Sequence, residues 1–232
     1  MCNCNHKPIQ AHMEPVGGVT DSPSKPEPSS SPPRLLVIGA GSRGNAYARA
    51  VKESTNGLIV AVAEPLEFQR RQFGRRYIWG DAGPKESAEF CGWREYLDYE
   101  LQRRRLAESG KDVPQGIDGI FVCTLDTMHE EIVVASAPLN LHIMCEKPLA
   151  TTMQSCLNIY RALRPKGPAC SPEKVFSVGH VLRYSPHNML LHKLLVEEGV
   201  IGEIVSIEHT EPVGWWHFSH SYVRLVGSLA GS

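Results

Sequence analysis

The segment GAGSRG, residues 39–44, decides the fold, because it joins the apolar run Leu35–Ile38 to a helix-like stretch. Its spacing is G-x-G-x-x-G in a strand–turn–helix setting. Gly39 permits the tight turn, Gly41 lets a pyrophosphate approach the backbone, and Gly44 lets the helix pack close to the strand. The N-terminus of such a helix offers free N–H groups and a partial positive charge to phosphates. The segment therefore predicts a dinucleotide site, with a purely structural glycine turn as the alternative.

An acidic residue follows at the spacing that dinucleotide-binding folds use. The second apolar run, Leu58–Ala63, ends in Glu64, twenty residues after the last glycine of the turn. A carboxylate at that place can accept both hydroxyls of a ribose. We therefore expect Glu64 to share the cofactor site with Ser42 and Arg43, which lie within the glycine turn.

The same acid favours NAD over NADP as the cofactor. The carboxylate of Glu64 repels a 2′-phosphate and can accept a 2′-hydroxyl. Arginines leave NADP open as the alternative, since Arg43, Arg70 or Arg71 can pair with that phosphate.

The composition argues against several classes of partner. The 232 residues carry a formal net charge of −1, which gives no electrostatic reason to bind nucleic acid or an anionic membrane. No apolar run approaches the length of a membrane span, and the N-terminus lacks the apolar core of a secretory signal, so we expect a cytoplasmic protein. The seven cysteines show no framework spacing, and Cys123 and Cys145 lie inside apolar runs, as expected for reduced, buried thiols.

Residues 1–33 differ in composition from the rest of the chain. They are rich in Pro, Ser, Gly and Glu and contain almost no large apolar side chain. Such a segment cannot offset its ordering entropy by burial, so we expect a disordered tail. Because Cys2, Cys4, His6 and His12 match no closed zinc pattern, we expect no metal site there.

Strand-like and helix-like segments alternate from residue 34 onward. Strands are predicted over 35–38, 58–63, 117–125, 141–145 and 175–180, and helices over 45–55, 93–108, 129–137, 151–163 and 185–198. Continuous apolar runs are typical of parallel strands buried on both faces. The fold class is therefore α/β, with a Rossmann-type doubly wound parallel sheet over 34–182. Glu203–His209 alternates like a half-exposed antiparallel strand, so 183–232 is expected to hold a linker helix and the beginning of an α+β domain.

Three consecutive arginines lie in the predicted helix over 93–108. Arg103, Arg104 and Arg105 can be a phosphate clamp or a solvated helix face. The acidic residues Glu100 and Glu108 flank them, which favours the solvated face.

Further motifs complete a family resemblance. Glu64-Pro65 ends the second strand, CTLDTMHEE spans 123–131, and HIMCEKPLA spans 142–150. Together with the glycine turn they resemble the Gfo/Idh/MocA family, the relatives of glucose–fructose oxidoreductase and inositol dehydrogenase, over about residues 34–224. The EKP segment at the end of a Rossmann strand is the most specific of these motifs. The resemblance implies NAD(P)-dependent hydride transfer on a sugar, polyol or related alcohol, a largely antiparallel substrate sheet, and allows a homo-oligomer.

The resemblance also assigns roles at the ends of two strands. Lys147 becomes the catalytic residue, because a cation beside the developing alkoxide stabilises the transition state. A surface lysine before a turn proline is the alternative. Thr124, Glu146 and Lys147 are expected beside the cofactor. His129 corresponds to a histidine on the nicotinamide side, with a capping or packing histidine left equally open.

Residues after the last Rossmann strand are candidates for a substrate pocket. His180, Arg183 and Tyr184 occupy positions that the family often uses there, and an interdomain structural role is as plausible for each. Trp215–His217 and His220 resemble a pocket-facing segment, for which packing against a sheet is the commoner explanation.

The resemblance ends near Arg224. Relatives continue through a Lys…His-Asp segment that supplies the general base, whereas this sequence has LVGSLAGS at 225–232. We therefore expect an incomplete substrate domain without the catalytic His and Asp. Three functions stay open: an oxidoreductase, a nucleotide-binding product without turnover, and a relative in which bound NAD serves glycoside cleavage.

Overall fold

The computed structural model describes residues 31–164 and 174–215. Several predictions concern residues outside these ranges: the tail up to residue 30 with its cysteines and histidines, Trp216, His217, His220 and the segment 225–232. The chain divides into two units, 1–180 and 181–232, and each is considered by itself.

The first unit is a six-stranded parallel sheet with helices between the strands. The strands are β1 (Arg34–Ile38), β2 (Leu58–Ala63), β3 (Glu89–Phe90), β4 (Gly119–Val122), β5 (His142–Cys145) and β6 (Phe176–Val178). The helices are α1 (Ser42–Ser54), α2 (Glu67–Tyr77), α3 (Trp93–Glu108), α4 (His129–Ser136) and α5 (Met153–Leu163). The strand order β3-β2-β1-β4-β5-β6 is that of a Rossmann fold, which confirms the predicted fold class.

The register brings the ends of three strands together. Ile38, the last residue of β1, pairs with Ala63 of β2 on one side and with Val122 of β4 on the other. Chain order reverses between β1 and β4, and open parallel sheets bind ligands outside the carboxyl ends of their strands at such a point. The turns after β1, β2 and β4 therefore meet where a ligand is expected.

Both faces of the sheet are buried, as the continuous apolar runs predict. On β1, Leu36 and Ile38 belong to one core cluster and Val37 to the other. The first cluster contains Ile132 of α4 and Ile159 of α5, whereas α1 and α2 contribute to the second.

The boundaries of the elements differ from the predictions in identifiable ways. α1 begins at Ser42, three residues before the predicted start, with Gly41 as its N-cap. The polar connection 67–116 contains α2 and the two-residue β3 in addition to the predicted helix. Neither element contains the long apolar run by which a strand or helix is predicted from sequence. β3 is short because it pairs only with β2, at the edge of the sheet.

The prediction of a solvated arginine face is wrong for Arg103 and Arg104. Both pair with Glu100, which is only 1% exposed, at 2.7 and 2.8 Å. Burial alone would raise the pKa of Glu100, but hydrogen bonds from the two guanidinium groups hold it below its usual value. Arg104 also donates to the Leu139 carbonyl at 2.8 Å. These arginines stabilise the fold and do not form a phosphate clamp.

The second unit contains the expected helix, which follows a 3-10 turn over Val181–Tyr184. α6 (Pro186–His192) continues as a π-helical turn over Lys193–Glu197, close to the predicted span 185–198. The predicted strand over Glu203–His209 is wrong, since these residues have no regular structure and are exposed. A strand needs a hydrogen-bonded neighbour, and 181–215 contains none. Within the described ranges, no helix is long and apolar enough to cross a membrane.

Candidate cofactor and active site

The glycine turn after β1 is packed so closely that two of its positions exclude a side chain. Gly39 has φ +94°, and a Cβ there would lie 2.6 Å from the Cys123 carbonyl oxygen. A Cβ on Gly44 would lie 2.1 Å from the carbonyl oxygen of Gly39. These contacts bring the first turn of α1 against the end of β1, as the motif predicts.

Gly41 differs from the other two glycines, because a Cβ there would meet nothing within 4 Å. It faces open space at the N-terminus of α1, where Ser42 and Arg43 are also exposed. No side chain caps this helix, and its first turn contains no acidic residue. Asn45 donates to the carbonyl oxygens of Ala40 and Gly41 at 2.8 and 2.9 Å, which steadies the turn. The free N–H groups and the uncovered space suit a phosphate group.

Glu64 lies beside this turn and accepts a hydrogen bond from its backbone. Its Oε2 accepts the backbone N–H of Ala40 at 2.8 Å, and its Oε1 accepts that of Leu66 at 2.9 Å. The residue is 7% exposed. A carboxylate has about four lone-pair positions, so two remain for ligand hydroxyls. The geometry brings together the glycine turn and the acid that the sequence predicts.

Two of the arginines considered for a 2′-phosphate are engaged elsewhere. Arg70 is buried, donates to the Glu64 carbonyl oxygen at 2.6 Å, and pairs with Glu89 at 3.4 Å. Arg71 pairs with the same Glu89 at 3.2 Å. Arg43 stays exposed at the start of α1. The observed ion pairs therefore favour NAD over NADP.

The EKP segment forms the turn after β5. Glu146 is 5% exposed; its Oε2 accepts the backbone N–H of Lys147 at 3.2 Å, and its Oε1 accepts the hydroxyl of Tyr47. Lys147 is exposed, and its ammonium group has no hydrogen-bond or ion-pair partner among residues 31–164 and 174–215. The peptide bond to Pro148 is cis. Within the described residues, the ammonium group of Lys147 is thus an exposed cation without a partner, on the turn that follows the carboxyl end of β5.

His129 is buried rather than facing open space. It is 1% exposed, with Nδ1 2.9 Å from the Pro148 carbonyl oxygen and Nε2 3.3 Å from that of Thr124. These contacts favour the packing alternative over direct contact with the cofactor. The ring links the end of β4, at the half-buried Thr124, to the turn that carries Lys147.

Sequence reasoning missed Tyr47 and Asn45. Gly44, Tyr47, Ala48 and Val51 recur at helical spacing along the inner side of α1. A tyrosine on an inward-facing stripe needs a hydrogen-bond partner for its hydroxyl, and this requirement is the sequence signal that could have indicated a polar contact at Tyr47. Neither residue belongs to the glycine motif itself, so a motif search passes over both.

Of the two cysteines predicted to be buried, Cys145 is buried and Cys123 is half-buried. Cys145 is fully buried, and burial raises its pKa to about 12. Burial also raises the pKa of Cys123, so neither thiol is an activated nucleophile. No group of three or more His, Cys, Asp or Glu that could hold a metal occurs in the described part of the chain.

The proposed pocket residues after β6 are exposed. His180 and Arg183 lie on the surface, and the side chains of Tyr184 and Trp215 are 73% and 77% exposed. Their assignment to a substrate pocket stays a prediction.

A cavity of about 670 Å³ lies at the other end of the sheet. It is lined by Arg34 and Leu58, the first residues of β1 and β2, and by Trp79 and Tyr99. Parallel sheets of this class bind their ligands at the carboxyl ends of the strands. The candidate site is therefore the region around the glycine turn and Lys147.

The strand order, the glycine turn and the acid after β2 define a Rossmann-type α/β protein of the dinucleotide-binding class. The sequence profile of the Gfo/Idh/MocA oxidoreductases, described as an oxidoreductase family with an NAD-binding Rossmann fold, matches residues 34–174. The chain belongs to this family.

Curated relatives include dehydrogenases that act on sugar-like compounds. Levoglucosan dehydrogenase of Pseudarthrobacter phenanthrenivorans is 34% identical over 198 residues, which are 84% of this chain and 45% of the relative. Inositol 2-dehydrogenase of Paracoccus denitrificans is 32% identical over 180 residues, 77% of this chain and 46% of the relative. The chain thus spans less than half the length of these relatives.

Solved structures agree on the fold. Myo-inositol 2-dehydrogenase from Lactobacillus plantarum has a TM-score of 0.57 at 20% identity, over 75% of this chain and 44% of that one. Levoglucosan dehydrogenase, in complex with NADH and levoglucosan, has a TM-score of 0.56 at 24% identity, over 75% and 41%. At these identities the likeness shows the shared Rossmann architecture.

Proposed function

We propose that the chain is the cofactor-binding part of an NAD(P)-dependent oxidoreductase, with NAD favoured, that transfers hydride to or from a sugar, polyol or related alcohol. The observation that carries this proposal is the contact between Glu64 and Ala40. It joins the acid proposed to bind ribose to a glycine turn with uncovered space, at the same edge of the sheet as the exposed Lys147. The family membership supports it.

Each part of the site has a separate role in this proposal. Gly41, Ser42 and Arg43 would bind the pyrophosphate, because the helix N-terminus supplies N–H donors and a partial positive charge. Glu64 would accept the ribose hydroxyls with the lone pairs that Ala40 and Leu66 leave free. The bound dinucleotide supplies the hydride acceptor or donor for the reaction.

Lys147 would act on the substrate oxygen. In the oxidation of an alcohol, the hydride of the carbinol carbon goes to the oxidised dinucleotide and the hydroxyl proton goes to a base or to water. An ammonium group beside that oxygen stabilises the alkoxide character that develops in the transition state. Lys147 is exposed and has no ion-pair partner among the described residues, so it can make this contact, while Glu146 and His129 form hydrogen bonds with the backbone of its turn.

The substrate class rests on the relatives. The curated names include levoglucosan and inositol dehydrogenases, and also a 2,7-anhydro-N-acetylneuraminate hydratase of Escherichia coli at 32% identity over 99 residues. All of these names refer to sugars or cyclic polyols. We therefore propose a polyhydroxylated ring as the substrate.

Isothermal titration calorimetry of the purified chain with NADH tests the cofactor assignment. We expect saturable binding to one site, and its loss in Gly41→Val. Reduction of NAD in the presence of levoglucosan, myo-inositol and other cyclic polyols, by a form extended through the Lys…His-Asp segment that relatives carry, then tests the activity. Absence of NADH and NADPH binding to a folded chain would overturn the proposal, and a preference for simple aliphatic alcohols would overturn the substrate class.

A further inference from the structure

Tyr47 connects the helix that begins at the glycine turn with the turn that carries Lys147. It lies on α1, one helical turn after Gly44, and its hydroxyl donates to Oε1 of Glu146. Its ring packs against Phe121 of β4, with the ring centroids 5.6 Å apart. The contact therefore spans from α1 across the sheet to the end of β5.

The carboxylate of Glu146 passes this contact on to the backbone. One oxygen accepts the Tyr47 hydroxyl, and the other accepts the N–H of Lys147 at 3.2 Å. Glu146 is 5% exposed, so water competes little for either oxygen. A shift of α1 would thus displace the backbone of Lys147, which carries the ammonium group proposed to act in catalysis.

The end of β6 leaves space for this pair. Gly179 donates its N–H to the Cys145 carbonyl oxygen at 2.8 Å, which holds it beside β5. A Cβ on Gly179 would lie 2.7 Å from the Tyr47 hydroxyl and 3.0 Å from Oε1 of Glu146. The absence of a side chain at Gly179, directly after β6, therefore leaves room for the hydrogen bond between Tyr47 and Glu146.

We propose that Tyr47 is a positioning residue that couples occupancy of the glycine turn to the placement of Lys147. The inference rests on the proposed function, in which a phosphate binds at the N-terminus of α1. A ligand there restrains α1, and the hydrogen bond to Glu146 transmits this restraint to the backbone of Lys147.

Tyr47 serves as a donor and not as a base. Burial, followed by the hydrogen bond to the Glu146 carboxylate and its charge, raises the pKa of Tyr47 above its usual value. The hydroxyl of Tyr47 therefore stays protonated near neutral pH and can donate its hydrogen bond.

The experiment uses ADP-ribose, which has the phosphates of the dinucleotide but lacks the nicotinamide. It can occupy the glycine turn, and comparison with Tyr47→Phe separates an effect transmitted through the protein from direct contact of the second ribose with Lys147. Acetylation of Lys147 is followed by mass spectrometry with and without ADP-ribose, and the exposed Lys85 at the other end of the sheet serves as the internal standard.

Tyr47→Phe is compared with the wild type and with Tyr77→Phe. Tyr77 is the matched control, because its hydroxyl also contacts α1, at the Asn45 carbonyl oxygen 3.1 Å away, but does not contact Glu146. We expect ADP-ribose to slow acetylation of Lys147 about fivefold in the wild type and in Tyr77→Phe, the ratio for one net hydrogen bond of about 1 kcal/mol. ADP-ribose should bind to Tyr47→Phe with a dissociation constant within about threefold of the wild-type value, but it should leave the acetylation rate of Lys147 unchanged in this variant.

Equal slowing in Tyr47→Phe, or no slowing in the wild type despite binding, would overturn the inference. If Tyr47→Phe does not fold, Gly179→Ala repeats the test with the hydroxyl retained, since its Cβ displaces the pair. Amide exchange of Lys147 in the free protein gives a reading that needs no ligand: it should be faster in Tyr47→Phe than in Tyr77→Phe. Failure of the wild type to bind ADP-ribose or NADH would count against the proposed function, and unchanged amide exchange would count against the coupling.

Discussion

The backbone N–H of Ala40 donates a hydrogen bond of 2.8 Å to Oε2 of Glu64, so the acid that follows β2 is fastened to the turn that follows β1. The two residues are 24 positions apart in the chain. The same carboxylate accepts the N–H of Leu66. A single side chain therefore fixes the glycine turn and presents its remaining lone pairs at the proposed ribose position.

Glu64→Gln should weaken NADH binding by about tenfold and reduce the preference for NADH over NADPH. The amide loses one of the two acceptor oxygens and no longer repels a 2′-phosphate, and hydrogen bonds to charged groups contribute about 1.5–3 kcal/mol. Fluorescence titration gives both dissociation constants. Glu67→Gln, an exposed acid at the start of α2, is the control, and an unchanged NADH-to-NADPH ratio in Glu64→Gln would remove Glu64 from the cofactor site.

Valine substitutions at two glycines should separate binding from folding. Gly41→Val should leave the chain folded and lower NADH affinity by at least about tenfold, because the added side chain enters the open space where the pyrophosphate is proposed to lie. Gly44→Val should unfold the chain, since its Cβ would lie 2.1 Å from the Gly39 carbonyl oxygen. Circular dichroism and calorimetry distinguish the two effects. Tight NADH binding by Gly41→Val would show that the phosphates lie elsewhere.

Lys147→Ala should affect catalysis alone. The side chain is exposed and its ammonium group has no partner in the described part of the chain, so the free energy of unfolding should change by less than about 0.5 kcal/mol. NADH affinity should stay within about threefold, while the rate of alcohol oxidation, measured in a form extended through the Lys…His-Asp segment that relatives carry, should fall by about 10²–10⁴-fold. Steady-state kinetics and urea unfolding measure both quantities. A parallel loss of stability would indicate a structural lysine.

Glu100→Gln should destabilise the first unit by about 3 kcal/mol. Removing the charge breaks a buried ion pair and leaves two guanidinium groups without their carboxylate. Urea unfolding near neutral pH gives the difference, and Glu108→Gln, exposed at the end of α3, should change the free energy of unfolding by less than about 0.5 kcal/mol.

The same carboxylate should make stability depend on acid pH. Its pKa in the folded chain is below the ordinary value of 4.5, so the folded state binds this proton more weakly than the unfolded state. Its contribution is fully present above pH 4.5 and is lost as the pH falls through the folded pKa. The wild type should therefore lose stability more steeply than Glu100→Gln below about pH 5. Parallel pH profiles would argue that the pair is not ionised.

Much of the framework follows from local sequence. Leu58–Ala63 is a strand because an uninterrupted apolar run can be buried only between two layers, and the predicted bounds match the observed ones. GAGSRG specifies the turn because only glycine tolerates φ +94° at Gly39 and the close approach at Gly44. Thr152 caps α5 by accepting the Ser155 N–H at 3.1 Å, a contact between near neighbours.

Only the tertiary structure decided what the polar side chains do. Arg103 and Arg104 resemble a solvated face because their neighbours in sequence are charged, yet packing of α3 buries Glu100 beneath them. Tyr47 and Glu146, 99 residues apart, meet because the Tyr47 ring on α1 packs on Phe121 of β4, the strand beside β5. Glu203–His209 has the alternation of a strand, but pairing depends on a neighbour that residues 181–215 do not supply. Local pattern fixes what a segment can form, whereas hydrogen-bond partners distant in the chain fix what each polar group does.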